Sequence, residues 1–162
     1  MASGDTLCFW TALSNEPPSS FPAQFDKRAG VPVLDFDDSV DENAEFGGFM
    51  PRNYAGGGIT VTIGWMASSA TSGTTSWDIS FKSITDDADD LDTKSYAAAN
   101  TVTATTASAS GEVDYATVTF TDGADMDSIA AGEYFRMQVT VDASDGTMTG
   151  DAELVFIEIQ ET

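Results

Sequence analysis

The sequence predicts an all-β fold: a two-sheet antiparallel sandwich of jelly-roll type, with about eight strands and an extended N-terminal arm. Three observations predict it. Apolar residues alternate with polar ones over much of residues 58–162, as half-buried strands require. No segment carries a convincing helical period of about 3.6 residues. Stretches rich in Gly, Ser, Thr and Asp separate the alternating runs and supply turns. An immunoglobulin-like sandwich is the second choice. No internal repeat is visible, which argues against propellers and solenoids. At 162 residues the chain fits one folded domain with one core.

The elements follow in order. A first strand is expected near residues 6–10. Residues 1–57 are read as this strand plus an extended arm, and residues 58–162 as the sandwich proper. The arm holds all five prolines (Pro17, Pro18, Pro22, Pro32 and Pro51) and irregularly spaced phenylalanines, Phe21, Phe25, Phe36, Phe46 and Phe49. Residues 31–36 suit a short strand, confined by Pro32 to an edge or a start. Gly47-Gly48 and Gly56-Gly57-Gly58 read as punctuation.

Ile59, Val61, Ile63 and Trp65 then alternate with Thr60, Thr62, Gly64 and Met66. Trp77, Ile79 and Phe81 make the second alternating run, after a small-residue loop. Residues 86–92 form an acidic loop. Residues 100–106 are a Thr-rich strand. Ala116, Val118 and Phe120 share one strand face, but Val113 and Tyr115 have the other parity, so a bulge is expected between them. Phe135, Met137, Val139 and Val141 define the next strand. The last runs near residues 152–160. Val155, Ile157 and Ile159 lie on one face of it; Leu154 and Phe156 make the other face apolar too.

Composition excludes several function classes. Asp and Glu number 27 against 6 Lys and Arg, a net charge of −21. Such a chain repels phosphate backbones and anionic membrane surfaces, so nucleic acid and membrane are not expected partners. The 10 Phe, 4 Tyr and 3 Trp, placed with period, argue against acidic disorder. No run of about 18 apolar residues is present to span a membrane. The first residues lack the basic and apolar regions of a secretion signal. The single cysteine, Cys8, makes an internal disulfide framework impossible, and its apolar neighbours suit a small buried hydrophobe.

Catalytic chemistry is not expected. There is no histidine, hence no His-dependent triad or proton shuttle, and nothing to activate Cys8. Gly56-Gly57-Gly58 enters a strand and so is no phosphate cradle. Carboxylate pairs at glycosidase spacing would arise by chance among so many acids. Calcium is the better chemical guess, because it takes carboxylate and carbonyl oxygens. Asp86, Asp87, Asp89, Asp90 and Asp92 supply a dense set, and Asp35, Asp37, Asp38, Asp41 and Glu42 a second. Neither matches the EF-hand pattern, and a solvated acidic loop is the plainer alternative. No other cofactor is expected. Trp65, Trp77, Tyr96 and Tyr115 are the candidates for a sugar-stacking platform, although both tryptophans lie in phase with the core.

Assembly is the remaining theme. The doubly apolar last strand asks for cover from an arm or from another subunit. Leu154, Phe156, Phe21, Phe25, Lys27 and Arg28 are therefore the candidate interface residues, with a homotrimer as the expected state.

Residues 49–54 with Gly56-Gly57-Gly58, 64–73 leading into 77–81, 126–133, and 147–154 together resemble small structural proteins of tailed bacteriophages. The resemblance implies a jelly-roll virion component: a capsid decoration or cement protein, a head fibre, or a tail-associated protein. It transfers no catalytic motif. It also implies arginines after residue 141, where this chain is acidic. The expected function is thus a non-catalytic decoration protein that binds and stabilises the major capsid protein in the virion. A receptor- or glycan-binding module of a fibre is the first alternative. A cellular calcium- or carbohydrate-binding sandwich is the second.

Overall fold

The computed structural model describes residues 3–162. Two antiparallel sheets enclose one core, as the sequence predicts. The strands are β1 (Thr6–Thr11), β2 (Gln24–Arg28), β3 (Val31–Phe36), β4 (Glu42–Phe49), β5 (Ile59–Ala67), β6 (Thr74–Ile84), β7 (Asn100–Thr105), β8 (Asp114–Phe120), β9 (Tyr134–Asp142) and β10 (Ala152–Glu161). The six-stranded sheet runs β2-β3-β10-β5-β8, with β1 also paired to β10. The four-stranded sheet runs β4-β9-β6-β7. No helix among the described residues is long and apolar enough to cross a membrane.

Each alternating run turns its apolar residues into the core; β5 and β6 also bury much of the opposite face. Ile59, Val61, Ile63 and Trp65 of β5 face Trp77, Ile79 and Phe81 of β6 across the core. Trp77 is fully buried, edge-on to Phe36 at 5.2 Å and to Trp65 at 6.0 Å between ring centroids. Phe81 meets Phe120 in the same edge-to-face manner at 4.9 Å. Such offset geometries suit the ring quadrupoles and add to the burial energy.

The structure has two strands more than the sequence count. One is β2, polar and exposed, which offers no hydrophobic period to read. The other is β4, whose Gly47-Gly48 read as a break. Gly48 is instead a packing requirement: a Cβ there would lie 2.5 Å from the Phe135 ring and 2.8 Å from Trp10. Residues 11–57 thus contribute β2, β3 and β4 to the sheets, and Phe36 and Phe46 to the chain's own core. The expected bulge near Val113 is absent; β8 starts at Asp114 and stays in register with β5. The register shifts fall in β1 between Thr6 and Cys8, and in β10 between Leu154 and Phe156.

Candidate functional site

The β10 shift decides where the last strand points its side chains. Leu154 is buried in the core, only 1% exposed. Past the shift, Ile157 and Ile159 face the core, and Phe156 and Glu158 face outward on the six-stranded sheet. The two-faced apolarity at Leu154 and Phe156 is therefore a bulge in which one residue faces each way. Leu154 packs in this chain's core and presents no surface of its own.

The outer face of this sheet can be built row by row from the register. One row holds Thr11, Phe156, Gly64 and Tyr115 on β1, β10, β5 and β8. The next holds Phe9, Glu158, Thr62 and Thr117. A third holds Thr6, Gln160, Thr60 and Thr119. Phe9 is 57% exposed and Tyr115 66% exposed. Phe156, half-buried, lies between them: stacked on Phe9 at 5.6 Å with ring planes 23° apart, and edge-on to Tyr115 at 5.2 Å.

Gly64 makes that arrangement fit. A Cβ at residue 64 would sit 2.1 Å from Phe156 Cε1, so only glycine lets the ring lie over β5. A glycine inside a central strand often marks such a close approach. The result is an aromatic platform beside a row of hydroxyls. Thr6 Oγ1 donates to the Glu158 carboxylate, which fixes that carboxylate between Phe9 and Thr62.

The sequence candidates are distributed differently from expectation. Trp65 and Trp77 are core residues, 1% and 0% exposed, and stack on no ligand. Tyr96 lies half-buried with Lys82 Nζ 4.7 Å from its ring centroid. Of the four proposed platform residues, Tyr115 alone faces solvent on the platform. Phe9 is not among the sequence candidates, since nothing local to so short a strand shows which of its rings stays exposed. Phe156 is among the candidates, as a residue whose cover is expected from an arm or from another subunit. Phe25 and Lys27 are exposed on β2, and Phe21 is exposed beside β4, its carbonyl accepting from the Asn43 amide. Arg28 is occupied: it donates to the carbonyls of Ala67 and Ser68 and pairs with Glu153 at 2.5 Å.

The acidic loop of 86–92 is largely knitted to itself. Asp89 accepts from the Thr85 amide and pairs with Lys94 at 3.2 Å; those partners hold its carboxyl below the usual range. Asp90 accepts from the Asp92 amide. Three carboxylates do converge elsewhere, Asp37, Asp38 and Asp151, with oxygens within 4.8 Å of one another. Their oxygens also receive local donors: Ser39 on Asp37, Gly150 on Asp38, and the Asp38 amide on Asp151. Only Asp37 and Asp38 of this group belong to the second acidic set read from the sequence.

A groove of about 650 Å³ opens between Phe49, Arg52, Tyr134 and the start of the acidic loop. Arg52 stands 5.8 Å over the Phe49 ring, and Glu133 is spent on Thr85 and the Ala130 amide. Cys8 is half-buried, and burial pushes its thiol up to about 11, as an unreactive cysteine requires.

No family model and no curated protein matches the chain. Among solved structures it is similar to xylanase 10C from Cellvibrio japonicus in complex with xylopentaose, at 14% identity and a TM-score of 0.47. That likeness covers 99% of this chain and 28% of the xylanase. It is also similar to a structure described as CBM4, at 15% identity and a TM-score of 0.44, covering 94% of this chain and 85% of that one. A third is the carbohydrate-binding module TmCBM27, described for specific mannan recognition, at 11% identity and a TM-score of 0.44, covering 99% and 90%. Likeness at these identities is one of β-sandwich fold.

The expectation of a capsid decoration or cement protein is corrected. It rested on resemblance to phage proteins, whereas the structures named above are carbohydrate-binding modules and a xylanase. The outer apolar face at Phe156, for which an arm or another subunit is the expected cover, has Phe9 of β1 stacked on one side of the ring.

Proposed function

We propose that this chain is a non-catalytic glycan-binding module whose ligand stacks on Phe9, Phe156 and Tyr115. The carrying observation is the platform itself. Two of its three rings are more than half exposed, and all three are packed side by side on a rigid sheet. An exposed aromatic group of this kind is unfavourable in water unless something covers it. A sugar ring has an apolar face for the aromatic rings and hydroxyls at its rim. Thr117 and Glu158 supply a donor and acceptors in the row that also holds Phe9, about 7 Å along the strands from Phe156 and Tyr115. A few placed polar groups beside an apolar surface are what fixes a ligand's orientation.

The test is affinity electrophoresis and calorimetry with a panel of soluble polysaccharides. Tyr115→Ala is expected to weaken binding about tenfold, while changing stability by less than about 0.5 kcal/mol because Tyr115 is a surface residue. Full binding by a Phe9→Ala/Tyr115→Ala double variant would sink the proposal.

A further inference from the structure

The ligand's charge class can be read from where the protein keeps its cations. We infer that the platform takes a neutral, extended glycan chain lying across the strands, and rejects uronate or sulfated polymers; this rests on the glycan-binding reading above. The three outward rows contain Phe, Tyr, Thr, Gly, Gln and one Glu, and no Lys or Arg. All six basic residues of the sequence are placed elsewhere. Arg28 pairs with Glu153, Lys94 with Asp89 and Asp127, and Arg136 with Glu16 and Glu45. Arg52 lies over Phe49 and Lys82 over Tyr96, and Lys27 is on the edge strand opposite Pro32.

An anionic polymer would therefore meet the Glu158 carboxylate at the platform with no cation beside it. It would also approach a molecule of net charge −21. Recognition of carboxylate or sulfate groups uses Arg or Lys, and long-range repulsion of this sign slows encounter. A neutral chain loses nothing to that field.

The geometry also sets the ligand's direction. The three rings run on a diagonal, from Phe9 on β1 through Phe156 on β10 to Tyr115 on β8, one row further along. Three strand spacings amount to about 14 Å, room for more than one sugar ring. Thr117 and Glu158 stand beside this diagonal, in the row of Phe9, so a chain crossing the strands meets the rings in turn and has polar groups next to them.

Binding is to be measured with neutral xylan and glucomannan and with polygalacturonate and alginate, each at about 0.05 M and 0.5 M NaCl, where screening differs severalfold. The expected result is binding of at least one neutral polymer, unchanged within about twofold by salt, and no binding of either uronate polymer at low salt. The Phe9→Ala/Tyr115→Ala variant, checked for an unchanged melting curve, is expected to lose the neutral ligand. Uronate binding equal to or tighter than neutral binding overturns the charge inference and leaves the glycan-binding reading standing. Neutral binding that survives the double variant places the ligand elsewhere and overturns both, as does no binding by any polymer.

Discussion

On the four-stranded sheet, the outward side chains answer one another; on the six-stranded sheet, they leave their rings to solvent. Arg136 bonds to Glu16 and Glu45, the latter at 3.0 Å, and Gln138 donates to the same Glu45 at 3.3 Å. Thr140 donates to Asn43 at 2.6 Å, and Thr101 to Asp78 at 2.5 Å. These are cross-strand pairs of the kind that stabilise a sheet. On the platform face Thr6 donates to Glu158, but the rings have no such closure: Phe9 and Tyr115 contact Phe156 and are otherwise more than half exposed. Polar groups satisfied internally have little left to offer a ligand. Unsatisfied apolar area on a rigid sheet has much.

The largest expected effect separates the faces by stability. Arg136→Ala leaves Glu45 with one acceptor unpaired, at a side-chain exposure of only 18%. Losing one partner of a partly buried pair is expected to cost about 2 kcal/mol, read from urea unfolding, with glycan affinity unaltered. A drop in affinity comparable to that of Tyr115→Ala would break the contrast. Gly64→Ala is the complementary change. Its Cβ must displace the Phe156 ring, which is expected to cost about 1 kcal/mol of stability. Affinity should fall severalfold, because the ring it moves is the middle of the platform.

These two positions also show what the sequence discloses and what it does not. Ile59 to Trp65 and Phe135 to Val141 announce their strands by alternating apolar residues; β9 buries every second residue, whereas β5, inside its sheet, is buried almost throughout. Trp65 and Trp77 announce a core because they keep that phase. The platform carries no such signature. Phe9, Phe156 and Tyr115 are about 40 to 150 residues apart in pairs, and their meeting depends on β1 pairing with β10 and on the register shift after Leu154. Gly64 reads as one more polar-face residue until the ring above it is seen. Short-range period reports which face is buried; it is silent on which exposed residues of distant strands share a row.

The smallest effect concerns the far end of the platform sheet, and it is a pH effect. Asp35 faces outward opposite Glu153, and one of its oxygens is buried with no hydrogen-bond partner. Burial, then the charges of Asp151, Glu153, Asp26 and Glu42, push its carboxyl up to about 6. A carboxyl raised in the folded state favours folding when protonated. Its contribution is full below the ordinary Asp value near 3.8 and is lost as pH rises through about 6. Asp37 and Asp142 are held low by Ser39 and Ser144, so they act with the opposite sign and lose their contribution only below about pH 4. The fold should therefore be most stable between these limits. Asp35→Asn is expected to raise the urea midpoint at pH 7.5 and to leave it unchanged at pH 4, where Asp35 is already protonated. An equal shift at both pH values would show that the effect comes from packing, and that the charge crowded at this end of the sheet costs the fold nothing.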